Sequence, residues 1–287
     1  MTAQILDGEA VAQRITSELS ARLEALADRG ITPGLGTLLV GDDGPSSNYV
    51  AMKHRDCEAL GMRSYHVHLP ATATQAEVDE AVGQFNADPA IDGYLMQHPF
   101  PAHLNYEQSL ALVDPRKDVD GLHPLNLGRL VQGVSGPLPC TPAGIVELLT
   151  AYGIEIAGAH VVVVGRGLTI GRPLANLLSL KRPGGNAAVT LVHTGVPDIA
   201  PYTTQADILV AAAGSPGLIT PDHVKPGAVV VRAGVQFEGR KILSDVTDEV
   251  DEVASWISPR IGGVGAMTRA MLMSNAVAAA ERAADSF

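Results

Sequence analysis

The sequence predicts an α/β protein of two domains, each a parallel sheet covered by helices. Three observations predict it. Residues 35–96 alternate short apolar runs with stretches of helical spacing, β–α–β–α–β with short links, which is the pattern of a parallel sheet. Residues 161–231 repeat that rhythm with Val-rich runs. Between them, 113–142 (VDPRKDVDGLHPLNLGRLVQGVSGPLPCTP) is dense in Gly, Pro and Asp and breaks the alternation, as a functional segment or a domain boundary does. A chain of 287 residues suits two domains.

The elements follow in order. Val11, Ile15, Leu19, Leu23 and Leu26 give 8–29 one apolar helical face, and Gly30 stops that helix. LGTLLV at 35–40 is a short buried strand ending at Gly41. After the turn DDGPSS, Ser46 or Ser47 is expected to cap a helix that runs to Leu60 and ends at Gly61. Residues 62–69 alternate like a strand, 75–86 read as a helix, and 91–96 as a strand ending in Gln97-His98-Pro99. Beyond the irregular stretch come a helix at 142–152 and VVVV at 161–164. A helix at about 171–180 follows, then VTLV at 189–192, ILVAAA at 208–213 and AVVV at 228–231. An Ala-rich helix from Thr268 closes the chain. The expected domains are 1–140 and 141–267, with the helix 268–287 packing back on the first.

Composition excludes several classes. Hydrophobic residues make up 46% and charged residues 18%, which rules out a disordered, collagen-like or coiled-coil chain. Aromatics at 4% supply no stacking platform for single-stranded nucleic acid. A net charge of −11 repels a phosphate backbone on average, so no nucleic-acid partner is expected, although a local basic pocket for a small anion stays open. The two cysteines, Cys57 and Cys140, lack C-x-x-C spacing and are expected as free thiols of a reducing compartment. The opening MTAQILDGEA has no secretory pattern, and no apolar run reaches about 18 residues. A soluble, cytoplasmic protein with no membrane partner is the expectation. His66 and His68 share a strand face but have no third ligand beside them, so no metal is expected. The acidic run 245–252 (DVTDEVDE) reads as a solvated helix start.

VVVVGRGLTIGRP places Gly165, Gly167 and Gly171 between a strand and a helix. Gly165 suits a tight turn, Gly167 lets backbone approach a pyrophosphate, and Gly171 allows close helix–strand packing. The second domain is therefore expected to be Rossmann-like and NAD(P)-binding, with the helix N-terminus facing the phosphates; the ordinary reading of the same pattern is a plain tight turn between buried elements. The next strand ends at His193-Thr194, with no Asp or Glu to hold a ribose 2′-OH. Arg166 can meet a 2′-phosphate, with His193 and Thr194 as further donors, which favours NADP over NAD. Arg166 can equally be a solvated turn residue.

In the first domain Tyr49 and Lys53 lie four apart on one helix face, and Gln97 ends a strand at the same sheet edge. Asp120 lies in the irregular segment. Tyr49 offers a ring for stacking, Lys53 an ammonium or a base, Gln97 an amide to orient the amine, and Asp120 an acceptor for paired N–H donors. Each has an ordinary reading too. Lys53 can be a solvated helix residue, Gln97 a loop hydrogen-bonder, and Asp118 and Asp120 turn formers.

Seven ordered segments now carry a resemblance. They are SNYVAMK (47–53), DGYLMQHPFP (92–101), KDVDGLHP (117–124), PCTP (139–142), VGRGLTIGRP (164–173), VKPGA (224–228) and GGVGAMT (262–268). Over nearly its whole length the chain resembles the bifunctional methylenetetrahydrofolate dehydrogenase/methenyltetrahydrofolate cyclohydrolase family, of the FolD type. The resemblance implies a folate-binding catalytic domain and an NADP-binding Rossmann domain with a cleft between them. It implies oxidation of 5,10-methylenetetrahydrofolate with NADP, then hydrolysis to 10-formyltetrahydrofolate. Lys53 would be catalytic, tuned by Gln97, with Tyr49 stacking on the folate and Asp120 on the pterin's amino edge. Gly262 and Gly263 fall in the last shared segment and are taken as substrate contacts. Thr141, Gly165, Arg166, Gly167, His193, Thr194, Val235 and Thr268 would serve the cofactor. Homodimers through the Rossmann domain are usual in this family. The chain departs from it at Gly167 (commonly Ser), His98 (Leu), Arg232-Ala233 (Asp-Val or Asp-Cys), Arg260-Ile261 (Val-Pro) and Ala266 (Pro). Arg232 can approach the phosphate or be a surface ion-pair partner, the second being the expectation. Those departures keep open a catalytically impaired folate- or nucleotide-binding paralogue. An NAD(P) dehydrogenase for another small substrate is the third reading.

Overall fold

The computed structural model describes residues 2–238 and 241–285. Its elements, in chain order, are β1 (Gln4–Ile5), α1 (Gly8–Ala27), β2 (Gly34–Val40), α2 (Gly44–Ala59), β3 (Arg63–Leu69), α3 (Gln75–Ala87) and β4 (Gly93–Met96). Then come α4 (Tyr106–Leu112), α5 (Pro124–Gln132), α6 (Cys140–Ala151), β5 (His160–Val164), α7 (Gly171–Ser179), β6 (Ala188–Val192), α8 (Ala200–Thr203) and β7 (Ile208–Ala211). Last are β8 (Val229–Arg232), β9 (Val235–Glu238), β10 (Lys241–Ser244), β11 (Trp256–Ile257) and α9 (Val264–Ala284). Two compact units divide the chain. One holds the residues up to Gln13, Leu130–Val134 and Pro139–Met271; the other holds Arg14–Arg129, Ser135–Leu138 and the residues from Leu272 onward.

The second of these units contains a parallel sheet of order β3-β2-β4. β2 is central and buried along its whole length, which is why it reads as an uninterrupted apolar run. β3 is an edge and alternates in exposure. α3 starts on a reciprocal cap, in which Glu77 N–H donates to Thr74 Oγ1 and the Thr74 N–H to Glu77 Oε2. It buries Val78, Ala81, Val82 and Phe85, at helical spacing. The cap of α2 corrects the expectation. Asp43, not Ser46 or Ser47, occupies it, and its Oδ2 accepts both the N–H (2.9 Å) and the hydroxyl (2.6 Å) of Ser46. Pro45 sits in the first turn, where a missing N–H costs no helical bond.

The segment 113–142 is not structureless. It holds α5 and the start of α6, and α4 precedes it. Its organiser is Asp118, which is 2% exposed and accepts N–H groups from Gly121, Leu122 and His123 and from the Asn126 side chain. Asn275 of α9 donates to Val119 O and Leu138 O, and Glu281 pairs with Arg22 at 2.6 Å. α9 begins at Val264, one turn ahead of the expected Thr268. Residues 286 and 287 of the expected helix lie outside the described residues.

The first unit carries a six-stranded parallel sheet of order β1-β11-β8-β7-β5-β6. Val161, Val162, Val163, Leu209, Val210 and Val230 are fully buried in it. From β5 the chain steps to β6 on one side and then to β7 on the other, so the topological switch point lies at the carboxyl end of β5. β9 and β10 form a separate antiparallel hairpin, with Val235 opposite Ser244.

Candidate active site

In the three-stranded unit, α2 leaves the carboxyl end of β2 and carries Tyr49 and Lys53 one turn apart. Gln97 follows β4 and is tied to the sheet by its N–H, which donates to Leu38 O at 2.8 Å. Lys53 Nζ donates to Gln97 Oε1 at 2.9 Å, and Gln97 Nε2 donates to His98 O at 2.9 Å. The amide is thus fixed with its oxygen toward the lysine. Tyr49, Lys53, Gln97 and Asp120 are all half-buried. Asp120 rides on the loop that Asp118 holds. Beside it Tyr106 is buried, and burial with the charges of Asp120 and Asp118 raises its hydroxyl above the usual phenol value. The Tyr106 ring meets His98 and Phe100 edge-on, at 5.1 Å each. Burial holds the His98 imidazole below its ordinary value, with Glu107 opposing. The structure therefore joins Lys53 to Gln97 directly, and packs His98, the neighbour of Gln97, against Tyr106.

Under α2 lies a network that the sequence did not suggest. Thr37 Oγ1 meets His54 Nε2 at 3.1 Å and His66 Nδ1 at 2.9 Å, while His54 Nδ1 meets Ser64 Oγ. Cys57 is buried, its Sγ lies 3.7 Å from Met273 Sδ, and burial pushes its thiol up to about 12. Among the described residues no group of three His, Cys, Asp or Glu side chains is arranged to hold a metal. None of the described helices is long and apolar enough to cross a membrane.

In the six-stranded unit the glycine turn stands at the switch point. A Cβ on Gly165 (φ +115°) would collide with Ala212 O, and one on Gly171 with Gly165 O. Gly167 faces open space. α7 starts with no side-chain cap; in its first turn the Arg172 N–H donates to Gly167 O at 3.2 Å, the Leu174 N–H to Ile170 O at 2.8 Å, and Pro173 has no N–H. Arg172 Nε donates to Arg166 O at 2.8 Å and braces the turn. A cavity of about 530 Å³ opens here, lined by Gly165, Arg166, Gly167, His193, Thr194 and the turn after β7. His193 Nδ1 accepts the Gly195 N–H at 3.0 Å, and its Nε2 lies 3.4 Å from Arg166 Nη1. Arg166 and His193 thus stand side by side on the cavity wall.

Thr141 and Thr268 pair with each other at 3.0 Å, and Thr268 Oγ1 also donates to Val264 O. Val235 lies in β9. Gly262 and Gly263 belong to the six-stranded unit, where Gly262 O accepts the Glu9 N–H and Gly263 O leaves no room for a Cβ on Gly8. Arg232 is an ion-pair partner, but a buried one. Its side chain is 4% exposed, with Nη2 at 2.5 Å from Asp251 Oδ1. Its Nη2 also donates to Thr247 O. The acidic run is a solvated helix start only in its later part, where Asp248, Glu249 and Glu252 are exposed. Asp245 is fully buried, and 248–252 is a 3₁₀ turn. The signal for Asp245 in the sequence is slight, an acid placed directly after the strand-like KILS.

A parallel sheet with a glycine turn at its switch point and an uncapped helix start defines a dinucleotide-binding α/β protein, here with a smaller α/β unit bearing a lysine–amide pair. Residues 6–120 match the tetrahydrofolate dehydrogenase/cyclohydrolase catalytic domain, and 139–284 match the NAD(P)-binding domain of the same family. The chain belongs to this family. The bifunctional protein FolD of Syntrophotalea carbinolica is 53% identical over 284 residues, covering 99% of this chain and 98% of its own. The crystal structure of the bifunctional FolD methylenetetrahydrofolate dehydrogenase/cyclohydrolase of Campylobacter jejuni is 39% identical. It superposes with a TM-score of 0.92 over 98% of this chain and 99% of that one. The Trypanosoma brucei FolD enzyme, complexed with NADP cofactor and inhibitor, is 36% identical with a TM-score of 0.92, and the match covers 99% of each chain.

Proposed function

We propose that this chain oxidises 5,10-methylenetetrahydrofolate to 5,10-methenyltetrahydrofolate with NADP and then hydrolyses that product to 10-formyltetrahydrofolate. The observation that carries the reading is the 2.9 Å bond from Lys53 to an amide whose orientation is already fixed. The carbon to be oxidised bridges two nitrogens, so lone-pair donation expels a hydride with no O–H proton to remove. The protein's task in that step is alignment. When bound, the nicotinamide accepts the hydride.

Hydrolysis does need proton transfer. Water adds to the methenyl carbon, one C–N bond breaks, the nitrogen released takes a proton, and one proton leaves overall. Lys53 carries the proton at Nζ. Gln97 takes one Nζ–H and so aims the remaining positions on Nζ at water and substrate. Tyr49 stacks on the folate, Asp120 receives the paired N–H groups of the pterin edge, and Gly262 and Gly263 complete the substrate contacts.

The cavity at the β5 switch point suits a dinucleotide, with Gly165, Gly167 and the N-terminal end of α7 for the pyrophosphate. Preference for NADP rests on Arg166, with His193 and Thr194 beside it and no carboxylate at the end of β6. Thr141, Thr268 and Val235 belong to the same cofactor reading. The working division of labour is folate binding by 1–140 with the C-terminal helix, and NADP binding by 141–267. Assembly as a homodimer and residence in the cytoplasm follow from the family resemblance, with Cys57 and Cys140 as buried cysteines outside any disulfide. A spectrophotometric assay of both steps, with NADP and NAD in parallel, tests the reading. The expected result is dinucleotide reduction on methylenetetrahydrofolate with NADP preferred, and decay of methenyltetrahydrofolate absorbance without dinucleotide. Folate binding with neither reaction would mean an impaired paralogue. No folate affinity would mean a different substrate.

A further inference from the structure

Asp245 follows β10 directly and is fully buried. Its carboxylate accepts three consecutive backbone N–H groups: Ala213 at 2.7 Å and Gly214 at 2.9 Å on Oδ2, and Ser215 at 2.6 Å on Oδ1. Those residues form the turn that leaves β7, and Ala213 and Ser215 line the 530 Å³ cavity. The same turn is gripped from the carbonyl side, where Gln236 Nε2 of β9 donates to Gly214 O. Both residues come from the β9–β10 hairpin and its exit, a piece outside the six-stranded sheet. Gly234 makes the room, since a Cβ there would run into the Asp245 carboxylate. A buried carboxylate is costly to keep and a plain tight turn does not require one. Three N–H groups converging on one carboxylate do set the backbone of that turn.

We propose that Asp245 is a positioning residue for dinucleotide binding, holding Ala213–Ser215 in the conformation that forms one wall of the cavity. It touches no reacting atom and acts through the turn. The inference rests on the reading that this cavity takes the dinucleotide.

Asp245→Asn keeps size and shape but turns an NH₂ toward N–H donors. The dissociation constant for NADP is expected to rise on the order of tenfold. The KM for NADP in the dehydrogenase assay should rise with it, while the KM for methylenetetrahydrofolate holds and hydrolysis of methenyltetrahydrofolate continues. Gly234→Ala, which crowds the same carboxylate from the other side, should give the same split. Unchanged NADP affinity in a folded Asp245→Asn protein overturns the proposal. So does loss of hydrolysis together with NADP binding in both variants, which would make the residue a global support. If the wild-type protein itself fails to bind NADP, the fault lies with the dinucleotide reading instead.

Discussion

Lys53 and Gln97 come from different elements, the third turn of α2 and the residue after β4, yet their side chains meet at 2.9 Å. The Gln97 amide cannot flip without losing its own bond to His98 O. Such a pair is a preset geometry for one amine, and a surface lysine has no use for it.

Lys53→Met removes the proposed proton carrier and keeps the length of the stem. Hydrolysis of methenyltetrahydrofolate is expected to fall by about 10²–10⁴-fold, the usual worth of positioned acid–base catalysis. NADP affinity should hold, because no residue assigned to the dinucleotide is altered. Normal hydrolysis by this variant would remove Lys53 from the mechanism.

The legible parts of the sequence were those whose physics is local. β2 and β5 showed as continuous apolar runs because both faces of each are covered. Tyr49 and Lys53 showed through helical spacing, and Gln97 through its place at a strand end. β1 and β11 did not, since two residues carry no periodicity and each pairs with a distant part of the chain. α5 starts at Pro124 and is followed by Gly133 at φ +69°, both sound boundary signals, but they were lost among the other Gly and Pro of 113–142. Asp245 looked like one more surface acid because its partners, three backbone N–H groups, leave no mark in sequence.

Arg232 tests whether the departure at the end of β8 concerns the cofactor. Its guanidinium is committed to Asp251, Thr247 O and Ser258 O, away from the residues that line the cavity. Arg232→Met leaves Asp251 without this partner. Breaking a buried pair costs about 3–5 kcal/mol, and Asp251 is 34% exposed, so solvent recovers part and about 1–3 kcal/mol is expected. Thermal unfolding should shift down by several degrees with the NADP-to-NAD preference unmoved. A changed preference at unchanged Tm would place Arg232 at the phosphate.

The imidazoles under α2 give a pH signature. Burial lowers His54, helped by His66 and Lys53 and opposed by Glu58. Burial also lowers His66, helped by His68 and opposed by its bond to Thr37. Their folded values lie below the ordinary imidazole value of about 6.5, so the unfolded chain binds more protons in that window. Stability from these groups is present above about pH 6.5 and is lost as pH falls through the depressed folded values. Tm followed from about pH 7.5 to about pH 5 should therefore decline, and the doubly substituted His54→Gln/His66→Gln protein should decline less steeply. The same slope in both would assign the acid sensitivity elsewhere, His98 being the next imidazole held low by burial.

The glycine turn separates fold from function within seven residues. Gly171→Ala drives a methyl group into Gly165 O, a backbone atom that cannot swing aside. The β5–α7 junction has to open, and both Tm and NADP binding should fall. Gly167→Ser meets open space and should leave the unfolding free energy within about 0.5 kcal/mol of wild type, as surface changes usually do. Its hydroxyl adds a donor beside Arg166, so NADP affinity should rise relative to NAD. Arg166→Ala should do the reverse, weakening NADP far more than NAD, because a guanidinium's worth lies in the extra phosphate. Dissociation constants for both dinucleotides, measured across the three variants, decide the matter. Equal losses for NADP and NAD in Arg166→Ala would show that this arginine does not read the phosphate, and a collapse of Gly167→Ser would show that the open space beside the turn is needed for folding.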